Sequence, residues 1–154
     1  MSILVYAESQ NGNFKKSAFE AVSYGRALAN ESQEKLVVIS INAEDPKELA
    51  KYGSDKVISI SNSSMNNHNA QVFADSISEI SKKEGVSILV LSSTADSKYI
   101  APLIAVQLSA GLASNVVNTP ISISPLVVKR SCFTNKAFNE TKLLGDINII
   151  CVSN

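Results

Sequence analysis

The sequence predicts a single α/β domain in which helices cover both faces of a mostly parallel sheet and antiparallel strands are added at the C-terminal end. Three observations carry this. Short unbroken apolar runs alternate with amphipathic stretches of helical period as far as Gly111. Those runs have no polar alternation, as in strands covered on both faces. Beyond Gly111 the pattern changes to strand-like segments with no helix between them. Alternating strands and helices imply right-handed crossovers and a doubly wound, Rossmann-like, three-layer arrangement.

The first run, Ile3-Leu4-Val5-Tyr6-Ala7, predicts a buried strand. Glu8 to Asn13 is polar, with Gly12 as a turn former. Ala18, Ala21, Val22, Gly25, Leu28 and Ala29 then recur at helical spacing and make one stripe of mostly small residues, suited to close packing on a sheet. Leu36 to Ile41 is the second strand. Asp45-Pro46 opens a short helix, with Asp45 as cap and Pro46 at the first helical position, running through Leu49 and Ala50 and stopping near Gly53. Val57 to Ile60 is the third strand, and Ser61 to Asn69 a polar loop. Ala70, Phe73, Ala74, Ile77 and Ile80 mark the next helix, with Gly85 as its terminator. Ser87 to Leu91 is the fourth strand.

Ile100, Leu103, Ile104 and Leu108 share a helical face. Pro102 cannot sit deep inside a helix without a clash with the preceding turn, which predicts an irregular turn over Asp96–Ile100, a helix from about Ala101, and Gly111 as its end. Ile121 and Ile123 alternate with Ser122 and Ser124, as in a half-exposed strand. Leu126 to Lys129, a segment around Lys142-Leu143-Leu144, and Ile149 to Val152 are expected to follow as hairpin-like antiparallel strands.

Composition narrows the function classes. The 154 residues suit one domain spanning 1–154, large enough to hold together without disulfide or metal. Fourteen basic residues balance fourteen acidic ones, which argues against a nucleic-acid or membrane-surface binder. No apolar run approaches the roughly 20 residues of a membrane span. The N-terminus has no basic stretch before its apolar run, so no signal peptide is expected. Cys132 and Cys151 lack CxxC spacing and read as buried thiols of a cytoplasmic protein.

In open α/β sheets, ligands bind beyond the C-terminal ends of the strands, near the switch in strand order. That directs attention to Ala7–Asn13 and Ser92–Lys98. The first loop has one glycine where a dinucleotide fingerprint needs three, and Asn13-Phe14-Lys15 does not supply a P-loop. The second has hydroxyls and Lys98 but no glycine, and Asp96 would repel phosphate; Asp96 and Ser97 read as caps of the following turn. His68, the sole histidine, falls in a polar loop without triad or metal partners and reads as solvent-exposed. Cys132 has no histidine near it in the pattern. Lys129-Arg130 reads as a partner contact or a charged guard on an exposed sheet edge. No catalytic, cofactor-binding or metal-ligating residue is assigned.

Four stretches nevertheless point to a family. Lys51-Tyr52-Gly53-Ser54-Asp55-Lys56-Val57 is similar to "KYGADKV", Ser97-Lys98-Tyr99-Ile100-Ala101-Pro102 to "GKDLAP", Gly111-Leu112-Ala113-Ser114-Asn115-Val116 to "GLVSDV", and Val127 to Ala137 to an "RPVYAGKA"-type strand segment. With the opening Ser2 to Glu8, and in this order, they resemble the N-terminal domain of the alpha subunit of electron transfer flavoproteins. Ser97 departs from the glycine that opens "GKDLAP" in many members, which counts against close backbone approach to a ligand there. The resemblance implies an adenine nucleotide alpha hydrolase-like fold. It implies an αβ heterodimer that carries one FAD and moves electrons from acyl-CoA and other dehydrogenases, as in fatty acid β-oxidation, to a quinone oxidoreductase. It implies an electron carrier component and no enzyme. The FAD would be held mainly by a C-terminal domain of the alpha subunit that this chain, ending at Asn154, lacks. The AMP would belong to the beta subunit, and this domain alone would bind no flavin. The partner would be the beta subunit. The competing expectations are a free-standing AMP- or ATP-binding module of universal-stress-protein type using the two loops, and a small hydrolase or transferase using Cys132 or His68.

Overall fold

A computed structural model describes residues 1–153. The strands are β1 (Ser2–Ala7), β2 (Ser9–Gln10), β3 (Asn13–Phe14), β4 (Lys35–Ile41), β5 (Lys56–Ile60), β6 (Val86–Ser92), β7 (Gly111–Ile123), β8 (Leu126–Cys132), β9 (Ala137–Leu143) and β10 (Asn148–Val152). The α-helices are α1 (Lys16–Ser32), α2 (Ala70–Lys83) and α3 (Ser97–Leu108), with 3-10 turns at Pro46–Tyr52 and Ser63–Met65. Eight strands form one sheet in the order β5-β4-β1-β6-β10-β7-β8-β9, and β2 and β3 make a separate two-stranded ladder. From β5 to β7 every neighbouring pair is parallel; β7–β8 and β8–β9 are antiparallel.

The apolar runs explain the layers. Ile3, Val5 and Ala7 alternate with Leu4 and Tyr6, so β1 feeds both faces. Ile3, Val5, Val38 and Val90 pack with Ala18, Ala21, Val22 and Leu28 of α1. Leu4, Ile39, Leu89 and Ile149 pack with Phe73, Ile77, Ile100 and Ile104 of α2 and α3. All six residues of the small-residue stripe on α1 are buried. Gly25 is where α1 meets the sheet most closely: a Cβ there would lie 2.4 Å from Val5 Cγ2 and 3.0 Å from Leu36 Cδ1.

Local signals are realised in detail. Asp45 accepts from Lys47 N at 3.2 Å at the start of the 3-10 turn, which ends at Gly53 (φ 87°). Asn69 caps α2 by accepting from Gln71 N and Val72 N. Gly85 closes that helix with φ 61°. Asp55 clips the Pro46–Tyr52 turn to β4 and α1, its Oδ2 accepting from Leu36 N at 2.7 Å and from Arg26 Nη1 at 3.0 Å. The backbone donor first, then Arg26, hold its carboxyl below the ordinary 3.8. A lowered folded-state value stabilises the fold at neutral pH, and that contribution disappears as the pH falls below the ordinary value. Asp55→Asn should therefore lower the midpoint of urea unfolding at pH 7 and leave it nearly unchanged at the acid end, as measured by denaturation at both pH values.

Four expectations are corrected. α3 is regular from Ser97, with Pro102 inside it. Pro102 is on the exposed face, so the carbonyl it leaves without a donor, that of exposed Lys98, opens to water instead of the core. The helix ends at Ser109 in the left-handed region, and Gly111 opens β7. A Cβ at Gly111 would lie 2.7 Å from Asn148 Oδ1, so glycine serves strand packing there. β10 is not part of the antiparallel extension: it inserts between β6 and β7, parallel to both. The Ile121–Ile123 end of β7, β8 and β9 match the antiparallel expectation. Lys129-Arg130 does not guard an edge, because β9 is the outer strand. Lys129 Nζ lies 4.4 Å above the Phe138 ring, and Arg130 Nε donates to Ser114 O at 2.7 Å.

Candidate functional site

Strand order reverses at β1: the chain moves from β1 out to β4 and β5, then returns to β6 on the other side. The crevice between the C-terminal ends of β1 and β6 is therefore the position where an open α/β sheet offers a ligand site. The two loops singled out from the sequence do converge there.

Their polar groups are committed to one another. Glu8, one residue past β1, has a side chain only 5% exposed. Its Oε1 is ion-paired with Lys15 Nζ, at the entrance to α1. Its Oε2 accepts from Thr94 Oγ1 at 2.6 Å. Thr94 Oγ1 accepts in turn from Ser97 N at 3.2 Å, so Thr94 caps α3, and Asp96 makes no side-chain cap. Ser92 Oγ donates to Ser17 O at 2.8 Å, and Ser93 Oγ to Cys151 O at 3.1 Å. Glu8 with Lys15 and Thr94 thus joins the β1 and β6 loops, Ser92 ties the end of β6 to α1 and Ser93 ties it to β10, while Lys98 is exposed on α3.

Beside this network lies an open cleft of about 550 Å³. Its floor includes Tyr6, Glu8 and Lys15, its rim Glu44, His68 and Asp96, and its apolar wall Ile41, Met65 and Phe73. Glu44 reaches the rim by lying over Gly12, where a Cβ would come within 2.5 Å of its Cγ, while Glu44 N donates to Gly12 O at 2.9 Å. Gly12 has φ 81°, so the β2–β3 turn needs glycine both for its backbone and for this approach. Tyr6 is 3% exposed, and its hydroxyl has no hydrogen-bond partner within the chain. Burial, then the Glu8 and Asp96 charges, push its phenol well above the usual tyrosine range.

His68 is the exposed loop residue the sequence led us to expect. Its imidazole lies at the cleft rim, tilted against the Phe73 ring at 5.1 Å, with Nε2 4.0 Å from Asp96 Oδ1. This is a histidine beside a carboxylate with no nucleophile between them. Cys132 ends β8 on the antiparallel side of the sheet, four strands from β1, and is only partly buried, against expectation, whereas Cys151 is buried. Neither cysteine is in a disulfide. Burial pushes the Cys151 thiol up to about 12, which makes it inert as a thiolate. Among the described residues, no group of three His, Cys, Asp or Glu side chains could hold a metal ion, and no helix is long and apolar enough to cross a membrane.

Sequence reasoning found the two loops but not the residues that matter in them. Tyr6 reads as one more apolar position of β1. Lys15 enters only as part of Asn13-Phe14-Lys15, which does not make a P-loop. The available signal is a carboxylate, Glu8, placed one residue beyond a fully buried strand: a charge so close to the core requires a partner.

The family model for the electron transfer flavoprotein domain matches residues 3–154. The chain belongs to that family. It is similar to the electron transfer flavoprotein subunit alpha of Bacillus subtilis, 25% identical over 139 residues, which is 90% of this chain and 43% of that protein. It is 28% identical to the electron transfer flavoprotein subunit alpha of Thermoanaerobacterium thermosaccharolyticum, over 82% of this chain and 39% of that protein. The acryloyl-CoA reductase electron transfer subunit beta of Anaerotignum propionicum is 28% identical over 81% of this chain and 35% of its own length. The chain thus spans less than half the length of these curated relatives. The family is the one its Lys51–Val57, Ser97–Pro102 and Gly111–Val116 segments resemble. The three-layer α/β architecture of this electron transfer flavoprotein domain is the one those segments led us to expect.

Proposed function

We propose that this electron transfer flavoprotein domain is a scaffold of alpha-subunit type: it docks a beta-type subunit and holds no flavin itself. One observation carries the reading. In a chain matched by the family model from residue 3 to residue 154, the Lys15 ammonium and the Thr94 hydroxyl at the switch point are held by Glu8 instead of being free to grip a nucleotide phosphate. The relatives' names, electron transfer subunits designated alpha or beta, support a multi-subunit carrier. In this reading FAD is held by a separate flavin domain of the alpha subunit, AMP belongs to the beta subunit, and the complete cytoplasmic carrier takes electrons from acyl-CoA-type dehydrogenases and delivers them to a quinone oxidoreductase. The domain spanning 1–154 catalyses nothing.

The test is purification of the chain alone and with the beta-type electron transfer flavoprotein subunit of its own genome. The chain alone should be colourless and should co-elute with the beta-type subunit in gel filtration. Stoichiometric flavin absorbance in the isolated chain would contradict the placement of the cofactor, and separate elution of the two proteins would contradict the docking role.

The competing reading is an AMP- or ATP-binding module. The open cleft at the switch point favours it; the Glu8, Glu44 and Asp96 carboxylates oppose a phosphate there. Heat on titration with millimolar AMP or ATP would revive it.

A further inference from the structure

We propose that the switch-point cleft is a binding site for a small organic cation, a primary ammonium or guanidinium on a short apolar stem. Three carboxylates, Glu8, Glu44 and Asp96, border the cleft against one ammonium, Lys15. Three carboxylates against one ammonium leave two negative charges uncompensated. Lys15 is held mainly by Glu8, which leaves Glu44 without an ion-pair partner and Asp96 only loosely paired. Asp96 makes no cap hydrogen bond at its own helix and keeps 4.0 Å from both Lys15 Nζ and His68 Nε2, beyond hydrogen-bond reach.

The second, independent observation is Tyr6. Its side chain is almost wholly buried, lines the cleft, and has a hydroxyl without a partner in the chain. The hydroxyl is not fully enclosed: it opens to the cleft, where a ligand group can take the place of water as its partner. The raised phenol stays protonated, so its oxygen offers lone pairs as well as a proton. A ligand N–H group can donate to that oxygen and to the Asp96 carboxylate. The apolar wall of Ile41, Met65 and Phe73 suits a short methylene stem. An anion fits none of this, because every uncommitted ionic group at the rim is negative.

This site is independent of the docking role. Its test uses the intact chain with agmatine and putrescine as probes and AMP as the opposite-charge control, in calorimetry at low and high salt. Agmatine should bind in the millimolar range or tighter, more weakly as salt rises, and AMP should not bind. Asp96→Asn should weaken agmatine about tenfold, the scale of one charge-assisted hydrogen bond. Tyr6→Phe should weaken it about fivefold, the scale of a neutral one, with the fold retained by circular dichroism. No heat with either amine would overturn the proposal. So would agmatine binding that is indifferent to both substitutions, or AMP binding more tightly than agmatine. Loss of the site would leave co-elution with the beta-type subunit untouched, so the two proposals fail separately.

Discussion

Gly25→Leu is expected to cost at least about 3 kcal/mol of stability and to leave little soluble protein, since overpacking a filled core costs ~1–3 kcal/mol for small insertions and more for large ones. Gly25 faces Val5 and Leu36, both 0% exposed. The Cβ alone would sit 2.4 Å from Val5 Cγ2, well inside contact distance. Valine is stiff at χ1 and cannot swing aside cheaply, so α1 would have to lift from the sheet. Gly25→Ala is the sharper version. In an exposed helix this change gains about 1 kcal/mol; here it should lose about that amount or more. Shortening the neighbour makes room, so Gly25→Ala and Val5→Ala should couple favourably by about 1 kcal/mol or more in a double-mutant cycle followed by urea denaturation. A stabilised Gly25→Ala protein would refute the account.

The same close packing decides what could be read from the chain. β1, β4 and β6 are unbroken apolar runs because both their faces are covered, and a run of that kind is legible without context. The α1 stripe is legible for a similar reason: only small residues let a helix come this near. β7 is different. Its first half, Gly111 to Asn115, owes its strand conformation to pairing with β10, which lies more than thirty residues further along. Gly-Leu-Ala-Ser-Asn has no strand signature of its own. The insertion of β10 between β6 and β7 is equally non-local, because an apolar run does not reveal which neighbours it will have. At the site, the strand-end rule located the crevice. The pairing of Glu8 with Lys15 and Thr94 was hidden because its members are 7 and 86 residues apart in sequence. Pro102 misled because the cost of its missing N–H is small here: the Lys98 carbonyl it leaves without a donor opens to water on the exposed face.

Removing the partner of Glu8 should have the second large effect. Lys15→Met keeps the apolar stem of the side chain and deletes its charge, leaving a carboxylate with 5% side-chain exposure held by Thr94 alone. Unpairing one member of a fully buried ion pair costs ~3–5 kcal/mol. Lys15 is itself 31% exposed, so solvent screens part of that, and about 2 kcal/mol is expected. Thermal unfolding of wild type and Lys15→Met at pH 7 measures the deficit. Adding Glu8→Gln removes the unpaired charge, keeps an acceptor for Thr94, and should restore most of the loss at pH 7. If Lys15→Met were as stable as wild type at pH 7, the pair would be a surface contact, and the β6 loop would be held by the Ser92 bond to α1 and the Ser93 bond to β10 instead. That outcome would also release Lys15 to meet an anion in the cleft, which is why this variant bears on function as well as stability.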